Sequence, residues 1–245
     1  KPPDLAPPLR PRTIDVRGVR ISYREAGERT KPTILLLHGF PSSSHMYRHL
    51  LALLADDFHL VAPDHPGAGF SGYPPAGSFV PAFENLADLM SEFVQCVGLD
   101  RYVLYMQDFG GPVGFRMALR HPDQVQALVI QNANAYVEGI APDQLEGIRA
   151  RDGKRESPEA RMQVAQLVSR EFTEFLYKTG VADPSALDPT SWNLDAWILE
   201  NADARRIQEE LMLDYHSNIL AYPQWQAYLR SRQPPLLLVW GRHDP

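Results

Sequence analysis

A single cysteine, Cys96, stands in the 245 residues, which excludes an internal disulfide. It falls within the apolar pattern of Leu86, Leu89, Met90, Phe93, Val94 and Val97, so it is expected to pack in the core. Long apolar runs are lacking too, and none approaches the ~20 residues needed to cross a bilayer. Positive charge is in the minority: 24 Lys and Arg against 30 Asp and Glu give a net charge of −6. That balance argues against nucleic acid or an anionic membrane as partner. Gly67-Ala68-Gly69 lacks the strand–GxGxxG–helix setting of a nucleotide fingerprint and reads as a loop. His45 and His49, four apart on a predicted helix, lack the acidic companion of a zincin pattern, so no metal is expected. No internal repeat and no low-complexity segment is found, and the expected location is the cytoplasm.

What is present is a chain 44% hydrophobic, long enough for one domain with a sizeable core and room for an inserted lid. Pro-rich Lys1 to Pro11 reads as an extended arm rather than a signal peptide. Two strands are predicted at 13–17 and 19–25, joined by a turn at Arg17-Gly18. Strands at 33–37, 58–62, 102–107 and 125–131 then alternate with helices at about 43–55, 83–97 and 111–121. This rhythm predicts an α/β fold, a mostly parallel sheet with helices on both faces. The alternation stops near Asn134. Tyr136 to Arg232 reads as helices with polar turns such as Asp183-Pro184 and Asp188-Pro189, and a buried strand at 236–240 returns to the sheet. Ligands of such sheets bind at the carboxyl ends of the strands, where His38, Asp108 and Asp244 would lie.

The most telling stretch is Met106-Gln107-Asp108-Phe109-Gly110-Gly111. A strand enters it, a helix with Pro112 in its first turn leaves it, and small residues permit a sharp reversal between them. Serine hydrolases carry Ser at the apex of such an elbow. Here the apex is Asp108. A carboxylate needs no base to activate it, and the helix terminus and nearby N–H groups are expected to keep it ionised. Its natural target is a saturated carbon bearing a leaving group, which gives an alkyl ester of the enzyme. Water then attacks the carbonyl carbon of that ester, so an oxyanion forms on Asp108 itself. The turn His38-Gly39-Phe40-Pro41 can aim the N–H of Phe40 at this oxyanion, and Phe109 can supply the second N–H. A helix cap is the competing role for Asp108.

Four segments stand in order: Ile34 to Pro41, His59 to Gly72 with its Asp64-His65-Pro66-Gly67 turn, the Asp108 elbow, and Leu236 to Asp244. Together they resemble the α/β-hydrolase superfamily, most closely its epoxide hydrolase and haloalkane dehalogenase branch, over about residues 12 to 245. The resemblance implies a core at 12–134, an inserted helical cap at 135–232 and a return to the core at 233–245. It implies no cofactor and a small apolar epoxide or haloalkane as substrate.

Haloalkane dehalogenases typically place Trp after the nucleophile and a second donor beside the His-Gly turn. This chain has Phe109 and Phe40 there, leaving Trp192, Trp197 and Trp225 as cap donors. Fluoroacetate dehalogenases usually carry Arg at the position of Phe109. Epoxide hydrolases use His-Gly-x-Pro, present as His38 to Pro41, with two cap tyrosines that donate to the epoxide oxygen. By position these are Tyr177 and Tyr215, with Tyr136, Tyr222 and Tyr228 competing and Trp192 expected at the pocket. Asp244 matches the acid of the His–acid pair that activates water. The alternative acid site, Gln131-Asn132-Ala133-Asn134, has no carboxylate. The family's catalytic His is expected about thirty residues beyond Asp244, so the chain reads as C-terminally truncated. The reading is an epoxide hydrolase; the alternatives are a haloalkane dehalogenase and a non-catalytic hydrolase-fold binder of a small ligand.

Overall fold

The computed structural model describes residues 9–74, 77 and 79–244. Seven strands form one sheet: β1 Arg10–Val16, β2 Val19–Ala26, β3 Thr33–Leu37, β4 His59–Pro63, β5 Tyr102–Gln107, β6 Val125–Gln131 and β7 Leu236–Val239. Their order is β1-β2-β4-β3-β5-β6-β7. The first two pairings are antiparallel and the other four parallel.

Period-two alternation decides which layer each residue enters. In β3, Ile34 and Leu36 join Leu60, Ala62 and Leu51 of α1 (Arg48–Leu54) on one face. Leu35 and Leu37 point the other way, into a core shared with α2 (Phe83–Val97) and α3 (Gly110–Arg120). Leu35, Leu36 and Leu37 are fully buried, each contributing about 1.5–3 kcal/mol of hydrophobic stabilisation.

Between β6 and β7 lie α4 Pro142–Arg151, α5 Pro158–Leu167, α6 Arg170–Lys178, α7 Thr190–Ile198, α8 Ala202–Asp214 and α9 His216–Arg232. Aspartates start α7 and the turn before it: Asp188 Oδ1 accepts from the Thr190 N–H at 2.9 Å and Asp183 Oδ1 from that of Ser185 at 3.0 Å. The last helix ties this segment to the core. Trp225 of α9 stacks on Phe115 of α3 with ring centroids 5.0 Å apart, and buried Arg116 donates to Asn218 Oδ1 at 2.7 Å. No helix among the described residues is long and apolar enough to cross a membrane.

Four sequence expectations need correction. Strand β1 begins at Arg10 rather than Thr13, pairing Pro11 with Arg24. An edge strand accepts proline because its N–H can be left unpaired. Residues 1–8 of the expected arm lie outside the described residues. The helix predicted from 43 opens with a 3-10 turn, Ser44–Tyr47, before α1. Cys96 is exposed: in the last turn of α2 Val94 and Val97 turn inward, and Gln95 and Cys96 between them face solvent. Finally, β7 is apolar but not buried, with Leu236 to Val239 between 40% and 66% exposed. Among the described residues it pairs with β6 alone, and an apolar run fixes a strand without fixing what packs on its faces.

Candidate active site

Asp108 follows β5 at φ +47°, a left-handed conformation that costs a non-glycine residue about 1–2 kcal/mol. The fold holds it there by main-chain bonds. The Asp108 N–H donates to Asn132 O at 3.2 Å, and its carbonyl accepts from the Gly111 N–H at 2.8 Å. Its carboxylate oxygen Oδ1 accepts from the N–H of Phe40 at 2.7 Å and of Phe109 at 2.6 Å. A Cβ on Gly39 would lie 2.3 Å from Asp108 Cβ, and one on Gly110 would lie 2.3 Å from Leu37 O, so both glycines are required for this approach. Helix α3 is capped at Phe109 with no side-chain bond, so Asp108 is not its cap.

Burial pushes the Asp108 carboxyl up to about 6, the charge of Asp244 adds to the rise, and the two N–H groups oppose it. Desolvation thus outweighs the two donors expected to keep the carboxylate ionised. At pH 7 about nine-tenths of it is still ionised.

The turn that brings the Phe40 N–H to Asp108 is braced from behind. His38 Nε2 accepts from the His65 N–H at 2.9 Å, which leaves the proton on Nδ1 to donate to Gly39 O at 2.9 Å. Burial holds both His38 and His65 below the usual histidine range, so they are neutral struts. Asp64 ties the neighbouring loop, accepting from the Ser44 N–H at 2.7 Å and the Phe70 N–H at 2.9 Å.

Above Asp108 opens a cavity of about 500 Å³. Phe40, Pro41, Gln107, Asp108, Phe109, Asn132, Asn134 and Asp244 form its floor; Ile148, Arg151, Leu176, Tyr177, Met212 and Tyr215 belong to its roof. Seven residues singled out in the sequence therefore meet around one space: Asp108, Asp244, Tyr177, Tyr215, Phe40, Phe109 and Pro41. His38 and Gly39 lie behind the floor. Trp192 does not line the cavity either, because α7 sits behind α6 and turns this indole onto Tyr177, with ring centroids 6.3 Å apart. Trp197 is exposed and Trp225 is buried on α3, so none of the three candidate halide-donor indoles lines the cavity. No histidine among the described residues lines it.

Tyr215, at the α8–α9 junction, packs against Phe109 and Phe83 with centroids 5.9 Å away in each case. Burial, then Tyr222 and Asp108, raises its phenol well above the usual range. The Tyr177 hydroxyl donates to Asp195 Oδ2 at 2.5 Å, and its pKa is also raised, first by burial and then by Asp195. Sequence reasoning missed Gln107, Asn132, Asn134, Arg151 and Asp195. The two asparagines were visible only as an acid site without an acid, and nothing in the pattern marked Arg151 or Asp195.

A strand–elbow–helix unit presenting Asp108, facing two main-chain donors under a helical roof, defines a hydrolase of the α/β class. The model of the alpha/beta hydrolase fold matches residues 32–245, and the chain belongs to that family. It is 37% identical over 230 residues to an uncharacterized hydrolase of Saccharomyces cerevisiae, YNR064C, covering 93% of this chain and 78% of that protein. Over 244 residues it is 33% identical to haloalkane dehalogenase 2 of Mycobacterium tuberculosis, covering 97% and 79%. A shorter likeness, 34% over 144 residues, joins it to epoxide hydrolase A of the same organism, covering 58% and 44%.

Proposed function

We propose that this hydrolase opens epoxides through an ester on Asp108. One observation carries the reading: both main-chain donors hold Oδ1 of Asp108, in a cavity shared with the phenols Tyr177 and Tyr215. Oδ2 is the oxygen left to attack. It bonds to a ring carbon, the carbon–oxygen bond of the strained ring breaks, and the electron pair leaves on the ring oxygen, which takes a proton from a phenol. The product is a hydroxyalkyl ester whose carbonyl oxygen, Oδ1, already sits between the N–H groups of Phe40 and Phe109. When water adds to the Asp108 carbonyl carbon, the same donors hold the oxyanion, and the diol leaves. No step calls for a cofactor or a metal. Asp244 is the acid for the base that activates this water.

Haloalkane dehalogenation with the same nucleophile is the second reading, favoured by the 33% identity to haloalkane dehalogenase 2 along nearly the whole chain. The cavity weighs against it, since its halide would have no indole donor.

The test is covalent. The protein is incubated with an aryl epoxide and separately with a bromoalkane, and intact mass is followed by peptide mapping. The ester is expected on the Asp108 peptide from the epoxide. Asp108→Asn is expected to lower adduct formation by roughly a thousandfold or more. An adduct from the bromoalkane alone moves the assignment to the dehalogenase. No adduct from either, on folded protein, leaves a non-catalytic binder of a small apolar ligand.

A further inference from the structure

Tyr177 faces the cavity, yet its proton is committed elsewhere. Its hydroxyl lies 2.5 Å from Oδ2 of Asp195, a side chain on α7 that is only 2% exposed. A separation of this length is typical of a hydrogen bond to a carboxylate. Among the described residues Asp195 has no ion-pair partner. While Asp195 is a carboxylate, Tyr177 donates to it, and two negative charges would face each other if Tyr177 gave its proton away. With Asp195 protonated, the same separation serves a bond in the opposite direction: Asp195 donates to the phenol oxygen, and the Tyr177 O–H turns free toward the cavity.

We propose that Asp195 is a positioning residue that makes Tyr177 a proton donor: the protonated acid supplies a proton to Tyr177 as Tyr177 passes its own to the ring oxygen. This rests on the epoxide reading of Asp108. The balance closes. The Asp108 carboxylate becomes a neutral ester, the ring oxygen becomes a hydroxyl, Tyr177 ends as it began, and Asp195 ends as the carboxylate.

The surroundings favour the protonated acid near neutrality. Burial pushes Asp195 up to about 7, Asp64 beyond it adds to the rise, and Tyr177 and Arg48 of α1 oppose it. His45, near Arg48 and Asp64, is held below the usual histidine range by burial and then by Arg48 and Arg24, so it stays neutral in this window. Asp195 is thus the group facing Tyr177 that changes charge between pH 6 and 9.

The bromoalkane supplies the internal control, because bromide leaves without a proton. Rates of Asp108 adduct formation are measured from pH 6 to 9 with the epoxide and with the bromoalkane, and their ratio removes the titration of Asp108. In the unsubstituted protein the ratio is expected to fall about tenfold per pH unit above the Asp195 midpoint. In Asp195→Asn, shown folded by circular dichroism, it is expected to be independent of pH. In Tyr177→Phe it is expected to be lowered throughout and flat. A flat ratio in the unsubstituted protein, or a slope that survives in Asp195→Asn, overturns the relay while the Asp108 adduct keeps the nucleophile. If Asp195→Asn does not fold, Tyr177→Phe decides: a slope retained there overturns the relay, and a slope lost supports it. No Asp108 adduct from either electrophile overturns the epoxide reading and the relay together.

Discussion

The reactive group on the floor of the cavity is held by main-chain donors, and the polar group of its roof by another side chain. On the floor, peptide N–H groups of Phe40 and Phe109 grip Asp108, and Gly39 and Gly110 leave no room for a Cβ. In the roof, α4 buries none of its residues, α8 and α9 are anchored by apolar side chains such as Leu211 and Trp225, and the polar group facing the cavity, the Tyr177 hydroxyl, is held by the Asp195 side chain. Main-chain donors cannot titrate and move only if the sheet moves. Side-chain donors can do both. Under the proposed function the floor would set the reaction class, attack by a carboxylate at saturated carbon, and the roof would set which leaving group is served and at what pH.

Gly39→Ala strikes the floor without touching any titratable group. Its new Cβ would sit 2.3 Å from that of Asp108. Adduct formation should fall about a hundredfold or more with epoxide and bromoalkane alike, as displacement of a reacting group does. Loss confined to the epoxide would show that the turn serves the leaving group, and the comparison would break.

A smaller effect comes from pH. With bromoalkane the rate needs only the Asp108 carboxylate, an acid whose pKa burial raises to about 6. The ionised fraction is lost as pH falls through that value, so the rate should drop about tenfold per pH unit below 6 and level off above 7. A midpoint near the ordinary aspartate value would mean that the two N–H donors outweigh desolvation.

Cys96→Ser should do least. The thiol is exposed on α2, away from both walls, so stability should change by no more than about 0.5 kcal/mol and adduct rates should not change. A thiol reagent should modify the unsubstituted protein at Cys96 with the rates intact.

The parts of the fold legible in the chain were those written in local patterns. The two-sided apolar runs of β3 and β5, the 15-residue apolar stripe of α2 and the elbow at Asp108 fell where expected. Tyr177, Tyr215 and Asp244 could be named in advance, but their meeting in one cavity is a fact of packing. Local pattern misled where burial depends on what packs from elsewhere: β7 and Cys96 carry apolar signatures and are exposed. Trp192 carried the signature of a pocket residue and packs behind it on Tyr177.

The sequence by itself determined the order of strands and helices, the carboxylate at the elbow and the small residues that let it approach the turn after β3. These depend on neighbours a few residues apart, where sterics and the period of the backbone act directly. Only the tertiary structure decided how far burial lifts Asp108, which indoles are kept from the cavity, and that Tyr177 meets Asp195. Those depend on surfaces brought together across the chain, where desolvation and contact are properties of the assembled layers rather than of any segment.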